Sequence, residues 1–248
     1  MKNDIKISII TVCYNSEKTI EDTVKSVLNQ NYNNYEYLII DGSSKDNTLS
    51  IVKKYEKDFK GKLRVISEND KGLYDAMNKG IELATGDVIG IINSDDLLID
   101  SNVFSKINES YNEDTDILYA NLYYVSEDLK DILRKYNSGR RKGYSWCPAH
   151  PTMYIRKEVF KKYGLYDIGY KIAADYDMMV RLNKENLNYT YLDDYIVLMR
   201  VGGVSNGIKG YFKNYIEAYK VLKHNNVSFP LFRTTMRGFY TVWDILKK

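Results

Sequence analysis

Two adjacent carboxylates, Asp95 and Asp96, follow the short apolar segment Val88–Ile92. A continuous apolar run of this length, preceded by a turn signal at Gly86, predicts a central strand that is buried on both faces. Ligands of open α/β sheets bind where strands end, because the loops that leave the strands form a crevice there. Adjacent carboxylates repel each other and are costly to bury, so a divalent cation with oxygen ligands is their natural partner. A solvated turn is the alternative for an isolated Asp-Asp pair, and the rest of the chain decides between the two.

Asp175 is the carboxylate of a second informative stretch, Ala173–Leu182. The apolar residues of this stretch suit a buried helix, and Asp175 falls in the first turn of that helix. A negative charge at a helix amino terminus is electrostatically favourable, so a purely structural role is one explanation of this residue.

Strands and helices alternate along the first half of the chain, which is typical of βαβ units and a parallel sheet. A helix from Glu17 to Gln30 is predicted to begin at the capping residue Ser16. No Gly-x-Gly-x-x-Gly motif follows the first strand, and no Gly-x-x-x-x-Gly-Lys-Ser/Thr motif occurs, which argues against dinucleotide and P-loop enzymes. The predicted strands are Ile5–Cys13, Tyr35–Ile40, Leu63–Ser67, Val88–Ile92 and Ile117–Tyr123, and the other predicted helices are Asn47–Phe59 and Leu73–Ala84.

The ends of the first two predicted strands carry residues that suit a nucleoside. Tyr14 follows the first strand, and its ring can stack on a nucleobase. Asp41 follows the second strand, and its carboxylate can accept a hydrogen bond from a base N–H. Both residues are expected on the same crevice as Asp95 and Asp96. This arrangement places a base at the first two strands, and a diphosphate with its metal at the fourth.

The composition argues against several classes of protein. The 248 residues are 44% hydrophobic, which is enough for a sizeable core, and the net charge of +3 gives no case for nucleic acid. Cys13 and Cys147 form no Cys-x-x-Cys motif, so a structural zinc site or a disulfide framework is not expected, and a reducing, cytoplasmic setting fits. No apolar run approaches the ~20 residues of a membrane helix, and the amino terminus lacks the apolar core of a signal peptide. We therefore expect a soluble or peripheral protein.

Four motifs follow one another along the chain: Ile9–Asn15, Asp41–Thr48, Glu68–Gly80 and Asn93–Asp96. In this order and spacing they resemble the motifs of the inverting family 2 nucleotide-sugar glycosyltransferases of GT-A fold. Each motif alone is weak, and the four together are a strong signal. The similarity covers roughly residues 5–205.

The resemblance implies roles for the residues around the donor. Asp95 and Asp96 match the Asp-x-Asp element of the family, which binds Mn²⁺ or Mg²⁺ bridged to the phosphates of the sugar nucleotide. The family often has Asp at the position of Asn93, which leaves open which of the two carboxylates is the direct ligand and which meets the ribose. By the same resemblance Thr11, Tyr14, Asn15 and Asp41 hold the nucleoside, and Lys71 lies in the loop that approaches the nucleotide.

The acceptor side and the catalytic base are also implied by resemblance. Asp175 takes the position of the general base, and Ala174 replaces a Glu that commonly precedes it. His150 lies in the segment that lines the acceptor side, although a His between two prolines also suits a structural role. Arg200 begins an element near the diphosphate. The basic run Gly139–Gly143 fits either a solvated loop or a phosphate contact.

The expected molecule is a GT-A, Rossmann-like α/β protein with a mostly parallel central sheet flanked by helices. Residues 1–206 are expected to form the catalytic domain and residues 207–248 a helical extension. The expected activity is metal-dependent, inverting transfer from a nucleotide sugar, a UDP-sugar, to a glycan or polyprenyl-diphosphate-linked acceptor in capsule or O-antigen synthesis, at the inner face of the plasma membrane. A non-catalytic nucleotide-sugar or glycan-binding module is the alternative. A sugar-phosphate nucleotidyltransferase is disfavoured, because its Gly-rich, Lys/Arg-bearing amino-terminal loop is absent.

The carboxyl-terminal segment 231–248 carries an apolar stripe at helical spacing. A basic aromatic helix of this kind can lie on an anionic membrane. Packing against the catalytic domain, or against a second copy in a homodimer, explains the stripe equally well. The stripe consists of Phe232, Met236, Phe239, Trp243 and Leu246, and the flanking cations are Arg233, Arg237, Lys247 and Lys248.

Overall fold

Nine strands form one sheet in the part of the chain that the structure, a computed structural model, describes, namely residues 4–140, 147–202 and 207–246. The strands are β1 (Ile7–Cys13), β2 (Tyr35–Asp41), β3 (Leu63–Ser67), β4 (Val88–Ile91), β5 (Leu97–Leu98), β6 (Ile117–Val125), β7 (Ile132–Tyr136), β8 (Tyr154–Arg156) and β9 (Tyr189–Arg200). Their spatial order is β3-β2-β1-β4-β8-β6-β9-β5, and β7 pairs with the outer part of β6.

The first four strands in this order are parallel, as the alternation of strands and helices predicts. Strand β4 lies in the middle of the sheet, and all four of its residues are buried. The prediction of a central strand buried on both faces is therefore confirmed. Cys13 pairs with Asp41 at the ends of β1 and β2, so the loops that follow these strands leave from the same edge of the sheet.

The second half of the sheet is mixed. Strand β8 runs antiparallel to both β4 and β6, whereas the long strand β9 runs parallel to β6 and antiparallel to β5. Of these strands only β6 was predicted from the sequence. The others are short or polar, and their pairing depends on partners that are distant along the chain.

Eight helices are present in the described residues. The first begins at Ile20, three residues later than predicted, with Thr19 at its cap position. Ser16 does not cap it, because the Ser16 hydroxyl lies 2.9 Å from the Ser94 hydroxyl across the sheet edge. The helices are α1 (Ile20–Leu28), α2 (Thr48–Lys54), α3 (Leu73–Leu83), α4 (Val103–Ser110), α5 (Lys157–Tyr163), α6 (Ala174–Leu182), α7 (Gly207–His224) and α8 (Pro230–Leu246).

Both faces of the sheet are covered by apolar clusters. Along β1, Ile9 faces the cluster under α1 and α4, and Ile10 faces the cluster under α3 and α6, as the two-residue period of a strand requires. Helix α7 contributes Val221 and Leu222 to the second cluster. The extension therefore packs into the same core as α6. Within the described residues, no helix is long and apolar enough to cross a membrane.

Candidate active site

A cavity of about 530 Å³ opens at the carboxyl ends of β1 and β4. It lies where the crevice of an open α/β sheet is expected. The cavity wall combines residues from the loops after these strands with residues from the second half of the chain. Five of the predicted site residues line it: Tyr14, Asp95, His150, Asp175 and Arg200.

The two adjacent carboxylates have different surroundings. Asp95 is partly exposed and lines the cavity. Asp96 is 1% exposed, and one of its carboxylate oxygens accepts a hydrogen bond from the Asn93 side-chain nitrogen at 3.0 Å. Burial raises the pKa of Asp95, and the positive charge of Arg200 opposes that rise. Burial, and then the negative charge of Asp95, raise the pKa of Asp96 well above its usual range. The negative charges of Asp95 and Asp96 are thus not balanced by the positive charge that surrounds them.

The oxygen atoms at this point suit a divalent cation. Within the described residues, the Asn93 side-chain oxygen is buried without a hydrogen-bond partner, and Asn93 lines the cavity together with Asp95. Mg²⁺ is commonly bound by one or two protein oxygens, with the remaining positions filled by water and substrate phosphates. No group of three His, Cys, Asp or Glu side chains in the described residues could hold a metal by itself. The residues therefore fit a cation that is shared with a bound diphosphate.

Asp175 lies in the first turn of α6, and the predicted burial of the apolar residues of this helix is confirmed. Its carboxylate oxygen Oδ1 accepts a hydrogen bond from the Tyr176 backbone N–H at 2.7 Å. The Tyr74 hydroxyl lies 3.4 Å from the same oxygen and donates to the Ile172 carbonyl oxygen at 2.7 Å. No other hydrogen bond to Asp175 is present within the described residues, so Oδ2 is available to a substrate hydroxyl.

His150 lies beside Asp175 on the cavity wall, in a 3₁₀ turn formed by His150–Thr152. Its Nε2 atom is 2.8 Å from the Tyr166 hydroxyl. Burial lowers the pKa of the imidazole, and the negative charge of Asp175 opposes that effect. The lowered pKa favours the neutral form at pH 7.

Arg200 is held almost entirely by protein acceptors. Its guanidinium donates to the Asp22 carboxylate at 2.5 Å and to the backbone oxygens of Asp95 and Glu127 at 2.9 and 3.0 Å. The side chain is buried, so it fixes the Asp95 loop and supplies positive charge behind that loop. The role predicted for Arg200 at the diphosphate stays a prediction.

The loops after β1 and β2 are joined by hydrogen bonds. Tyr14 is 63% exposed at the mouth of the cavity, and its ring is available for stacking. Asn15 has a φ of 50°, a conformation that Asn tolerates better than most residues. The Asn15 side-chain oxygen accepts a hydrogen bond from the Lys45 backbone N–H at 2.8 Å. Asn15 thus positions the loop that carries Tyr14.

The remaining predicted residues do not line this cavity. Asp41 is fully buried, and its carboxylate already accepts hydrogen bonds from the Ser67 hydroxyl at 2.6 Å and from the backbone N–H and hydroxyl of Ser44. Thr11 is also fully buried and accepts a hydrogen bond from the Tyr37 hydroxyl at 2.9 Å. Both residues lie under the wall of the cavity in this structure. Lys71 is exposed between two lining residues, Asp70 and Gly72.

Sequence reasoning missed one cation on the cavity wall. Lys171 lines the cavity four residues before Asp175, and within the described residues its ammonium makes no hydrogen bond or ion pair. A lone Lys in an irregular segment has no pattern that distinguishes it from a surface residue. The predicted basic run at Arg141 and Lys142, and the predicted element at Gly203–Ser205, lie outside the described residues.

Comparisons with known proteins identify the relatives of this chain. Residues 8–179 match the model of the family described as Glycosyl transferase family 2. The Escherichia coli UDP-Glc:alpha-D-GlcNAc-diphosphoundecaprenol beta-1,3-glucosyltransferase WfaP is 28% identical over 234 residues, which cover 93% of this chain and 83% of WfaP.

Solved structures share the fold. The structure of S. aureus TarS 1–349 superposes with a TM-score of 0.70 at 20% identity, over 95% of this chain and 72% of that one. TarS 1–349 has also been solved in complex with UDP-GlcNAc. The mannosyltransferase PcManGT of Pyrobaculum calidifontis, in complex with GDP-Man and Mn²⁺, superposes with a TM-score of 0.68 at 14% identity, over 98% of this chain and 76% of that one.

Proposed function

Because this chain belongs to glycosyl transferase family 2 and has the GT-A fold, we propose that it is a metal-dependent, inverting glycosyltransferase. Its donor is a nucleotide sugar, specifically a UDP-sugar, and its acceptor is a hydroxyl group of a glycan or lipid-linked saccharide. One observation carries the proposal: Asp95 and Asp175 lie on the wall of a single cavity. One carboxylate is suited to a cation and the other to a proton, and both face the space where a substrate binds.

Asp175 acts as the general base in this proposal. The acceptor hydroxyl gives its proton to the Asp175 carboxylate as its oxygen attacks the anomeric carbon. The bond between that carbon and the diphosphate oxygen breaks on the opposite face, so the anomeric configuration inverts. The Tyr176 backbone N–H donates to Oδ1 of the base, which leaves Oδ2 to receive the proton.

Asp95 binds the cation, Mn²⁺ or Mg²⁺, at the end of the cavity where the donor lies. When bound, the cation neutralises the charge of the nucleoside-diphosphate leaving group. We assign Asp95 as the direct ligand, because it lines the cavity while Asp96 is buried against Asn93. The presence of Mn²⁺ in the complex of PcManGT with GDP-Man supports a metal requirement.

The donor and acceptor classes are supported by the names of the relatives. TarS binds UDP-GlcNAc, and the name of WfaP gives UDP-Glc as its donor and a saccharide on diphosphoundecaprenol as its acceptor. We propose the same classes here, a UDP-sugar and a polyprenyl-diphosphate-linked saccharide, in the synthesis of a surface polysaccharide such as capsule or O-antigen. Lys171 and Tyr14 suit these substrates, because a phosphate attracts the cation and a uracil ring stacks on the aromatic side chain.

A lipid-linked acceptor requires contact with a membrane surface, and we propose that α7 and α8 make that contact. Residues 207–248 contain eight basic and two acidic residues, a net charge of +6, whereas residues 1–206 contain 28 basic and 31 acidic residues, a net charge of −3. Basic residues near an anionic leaflet contribute about 1 kcal/mol each to binding. Six large apolar residues on these helices or in the turn between them are more than half exposed. They are Phe212, Ile216, Phe229, Leu231, Phe232 and Phe239.

A donor screen tests the proposed reaction. Purified protein is incubated with Mn²⁺, a polyprenyl-diphosphate-linked saccharide and each common nucleotide sugar, and release of nucleoside diphosphate is measured. We expect release with one UDP-sugar, dependent on the acceptor and abolished by EDTA. Release only with a GDP-sugar would overturn the assigned nucleotide, and full activity in EDTA would overturn the metal requirement. An absence of release from every donor and acceptor tested would contradict the proposed reaction.

A further inference from the structure

A carboxylate from helix α7 binds the backbone just before the proposed catalytic base. Glu217 Oε2 accepts hydrogen bonds from the backbone N–H groups of Ile172 and Ala173 at 2.8 and 3.0 Å. Both Glu217 carboxylate oxygens also lie 3.1 Å from the Lys171 backbone nitrogen. Three consecutive N–H groups therefore point at one side chain that is more than 40 residues away along the chain.

These hydrogen bonds hold the segment Lys171–Ala173 in one conformation. Backbone N–H groups ahead of a helix have no partner inside the helix, and a charged acceptor binds them more strongly than a neutral one. On the opposite side of the segment, the Tyr74 hydroxyl donates to the Ile172 carbonyl oxygen at 2.7 Å. The segment is thus held from α3 and from α7 at the same residue.

The held segment is part of the active-site wall. Lys171 and Ile172 line the cavity, and Ala173 is the cap residue of α6, two positions before Asp175. A displacement of Ala173 therefore moves the start of α6 and the carboxylate that it carries. Reacting groups that are misplaced by about 1 Å lose roughly 100-fold in rate.

A second contact fixes α7 against the same helix. The Asn225 side-chain nitrogen donates to the buried Asp177 carboxylate at 2.8 Å, and Arg181 donates to the other oxygen of that carboxylate at 2.9 Å. Lys184 in turn donates to the Asn225 backbone oxygen at 2.6 Å. The residue that follows α7 is consequently connected to the first turn of α6 and, through Lys184, to the segment just after α6.

We propose that Glu217 is a positioning residue for transfer, which acts by fixing the segment Lys171–Ala173 and with it the carboxylate of Asp175. The inference rests on the proposed role of Asp175 as the base. Glu217 itself does not line the cavity, so it acts through the backbone that it holds and does not touch the substrate. A carboxyl-terminal helix of the chain is in this way required for chemistry at a site built from the preceding residues.

The test compares Glu217→Ala with Glu217→Gln. Glu217→Ala removes every acceptor, so we expect kcat to fall about 10- to 100-fold, while KM for the donor and the Kd for UDP change less than about threefold. Glu217→Gln keeps one side-chain oxygen for Ile172 and Ala173, so it is expected to restore kcat to within about fivefold of wild type. Glu158→Ala is the matched control, because among the described residues the Glu158 carboxylate pairs with exposed Lys161 on α5 alone.

Two outcomes would overturn the inference: wild-type kcat in Glu217→Ala, or equal losses of kcat and UDP binding in both Glu217 variants. If Glu217→Ala does not fold, Glu217→Asp is measured in its place. Its side chain keeps the negative charge but is one methylene group shorter, so its oxygens lie farther from the backbone N–H groups of Ile172 and Ala173. That variant is expected to lose kcat at unchanged KM, and unchanged kcat would overturn the inference. Asp175→Asn is measured in parallel. An active Asp175→Asn enzyme means that the proposed base is wrong, whereas an inactive one beside a fully active Glu217→Ala means that only the positioning role is wrong.

Discussion

At the scale of single residues, burial decides which acidic side chains can contact a substrate. Asp95 and Asp175 reach the cavity. Asp41 is fully buried and accepts hydrogen bonds from Ser44 and Ser67, whereas Asp96 is buried and accepts one from Asn93. A carboxylate that already accepts several hydrogen bonds, as Asp41 does, gains little from one more hydrogen-bond donor, because its oxygens have partners without a ligand. Exposure therefore separates the carboxylates that can reach a substrate from those that are buried beneath the cavity wall.

Asp95→Asn is expected to weaken metal-dependent donor binding, because it removes the negative charge that faces the cavity. We expect the Kd for UDP in the presence of Mn²⁺ to rise at least about tenfold, equivalent to roughly 1.4 kcal/mol, with little change in its absence. Isothermal titration with and without Mn²⁺ measures both values. Asp96→Asn is the matched control and should change the Mn²⁺-dependent Kd by a smaller factor. A larger loss in Asp96→Asn would assign the metal to the buried carboxylate.

His150 gives a prediction about pH. Burial holds the folded-state pKa of this imidazole below 6.5, so between that pKa and 6.5 the unfolded chain binds more protons than the folded protein. The free energy of unfolding contributed by His150 therefore rises with pH across this window and is lost as the pH falls through it. Urea unfolding at pH 5.5 and 7.5 should show a smaller stability difference in His150→Gln than in wild type. An unchanged difference would show that His150 titrates normally.

At the scale of elements, the sequence predicts the parallel half of the sheet and little of the other half. The segments that became β1, β2 and β4 carry apolar runs bounded by turn signals, and every residue of these three strands is buried. Strand β9 is different, because its sequence contains Asp193 and Asp194 and its partner β6 lies about 70 residues earlier. Pairing between distant segments is decided by the whole fold and leaves no local signature.

The same distinction applies to the candidate site. The positions of Asp175, Asp95 and Tyr14 on one crevice could be predicted, because each belongs to a short motif at a strand end or helix start. Glu217 and Lys171 were not predicted, because the importance of each depends on contacts that only the folded chain creates. Ser16 fits a helix cap from its sequence context, yet it faces Ser94 instead. Local propensity was overridden there by a tertiary contact.

Strand β4 tolerates no side chain at Gly90. A Cβ atom at this position would lie 2.5 to 3.0 Å from the ring of Tyr154, which is fully buried on the neighbouring strand β8. Gly90→Ala is therefore expected to lower the free energy of unfolding by about 1–3 kcal/mol, measured by urea denaturation. Gly169→Ala is the control, because the atoms nearest to its Cβ would belong to the flexible side chain of Asp167. Equal stability of Gly90→Ala and wild type would mean that β4 and β8 pack less closely than described.

At the scale of the whole molecule, the last two helices combine a net positive charge with several exposed apolar side chains. Helix α8 packs on α7 through a contact of 2.8 Å between the Tyr215 and Thr235 hydroxyls, and Arg237 lies 4.3 Å from the ring centroid of Tyr176 on α6. One face of α8 is thus used for packing, while Phe232 and Phe239 remain exposed on another. Membrane contact and packing on the catalytic domain are therefore compatible uses of one helix.

Vesicle flotation tests this surface. The Phe232→Ser, Phe239→Ser double variant is expected to lose most of the salt-sensitive association with vesicles that contain anionic lipid, because buried aromatic area and charge act together at a membrane surface. The control is Ile132→Ser with Leu133→Ser, which removes an exposed apolar pair from β7. Equal flotation of wild type and the Phe232, Phe239 variant would show that this surface does not bind lipid. Dimerisation that disappears in the variant would assign the surface to a second copy.

The central claim is that Asp175 is the base of a transfer reaction, and one substitution tests it most directly. Asp175→Asn keeps the size of the side chain and its place in the first turn of α6, and it removes the ability to accept a proton. A positioned general base contributes ~10²–10⁴-fold in rate, whereas a charge at a helix terminus contributes only about 0.3–1 kcal/mol, and to stability.

The measurement is turnover of the acceptor by Asp175→Asn, beside titration of UDP and Mn²⁺. We predict a protein that folds and binds UDP as wild type does, yet loses transfer by at least ~100-fold. Retention of a large fraction of wild-type turnover would contradict the account. Asp177 could not then take over, because it is 2% exposed and paired with Arg181, and the base would have to be sought at His150.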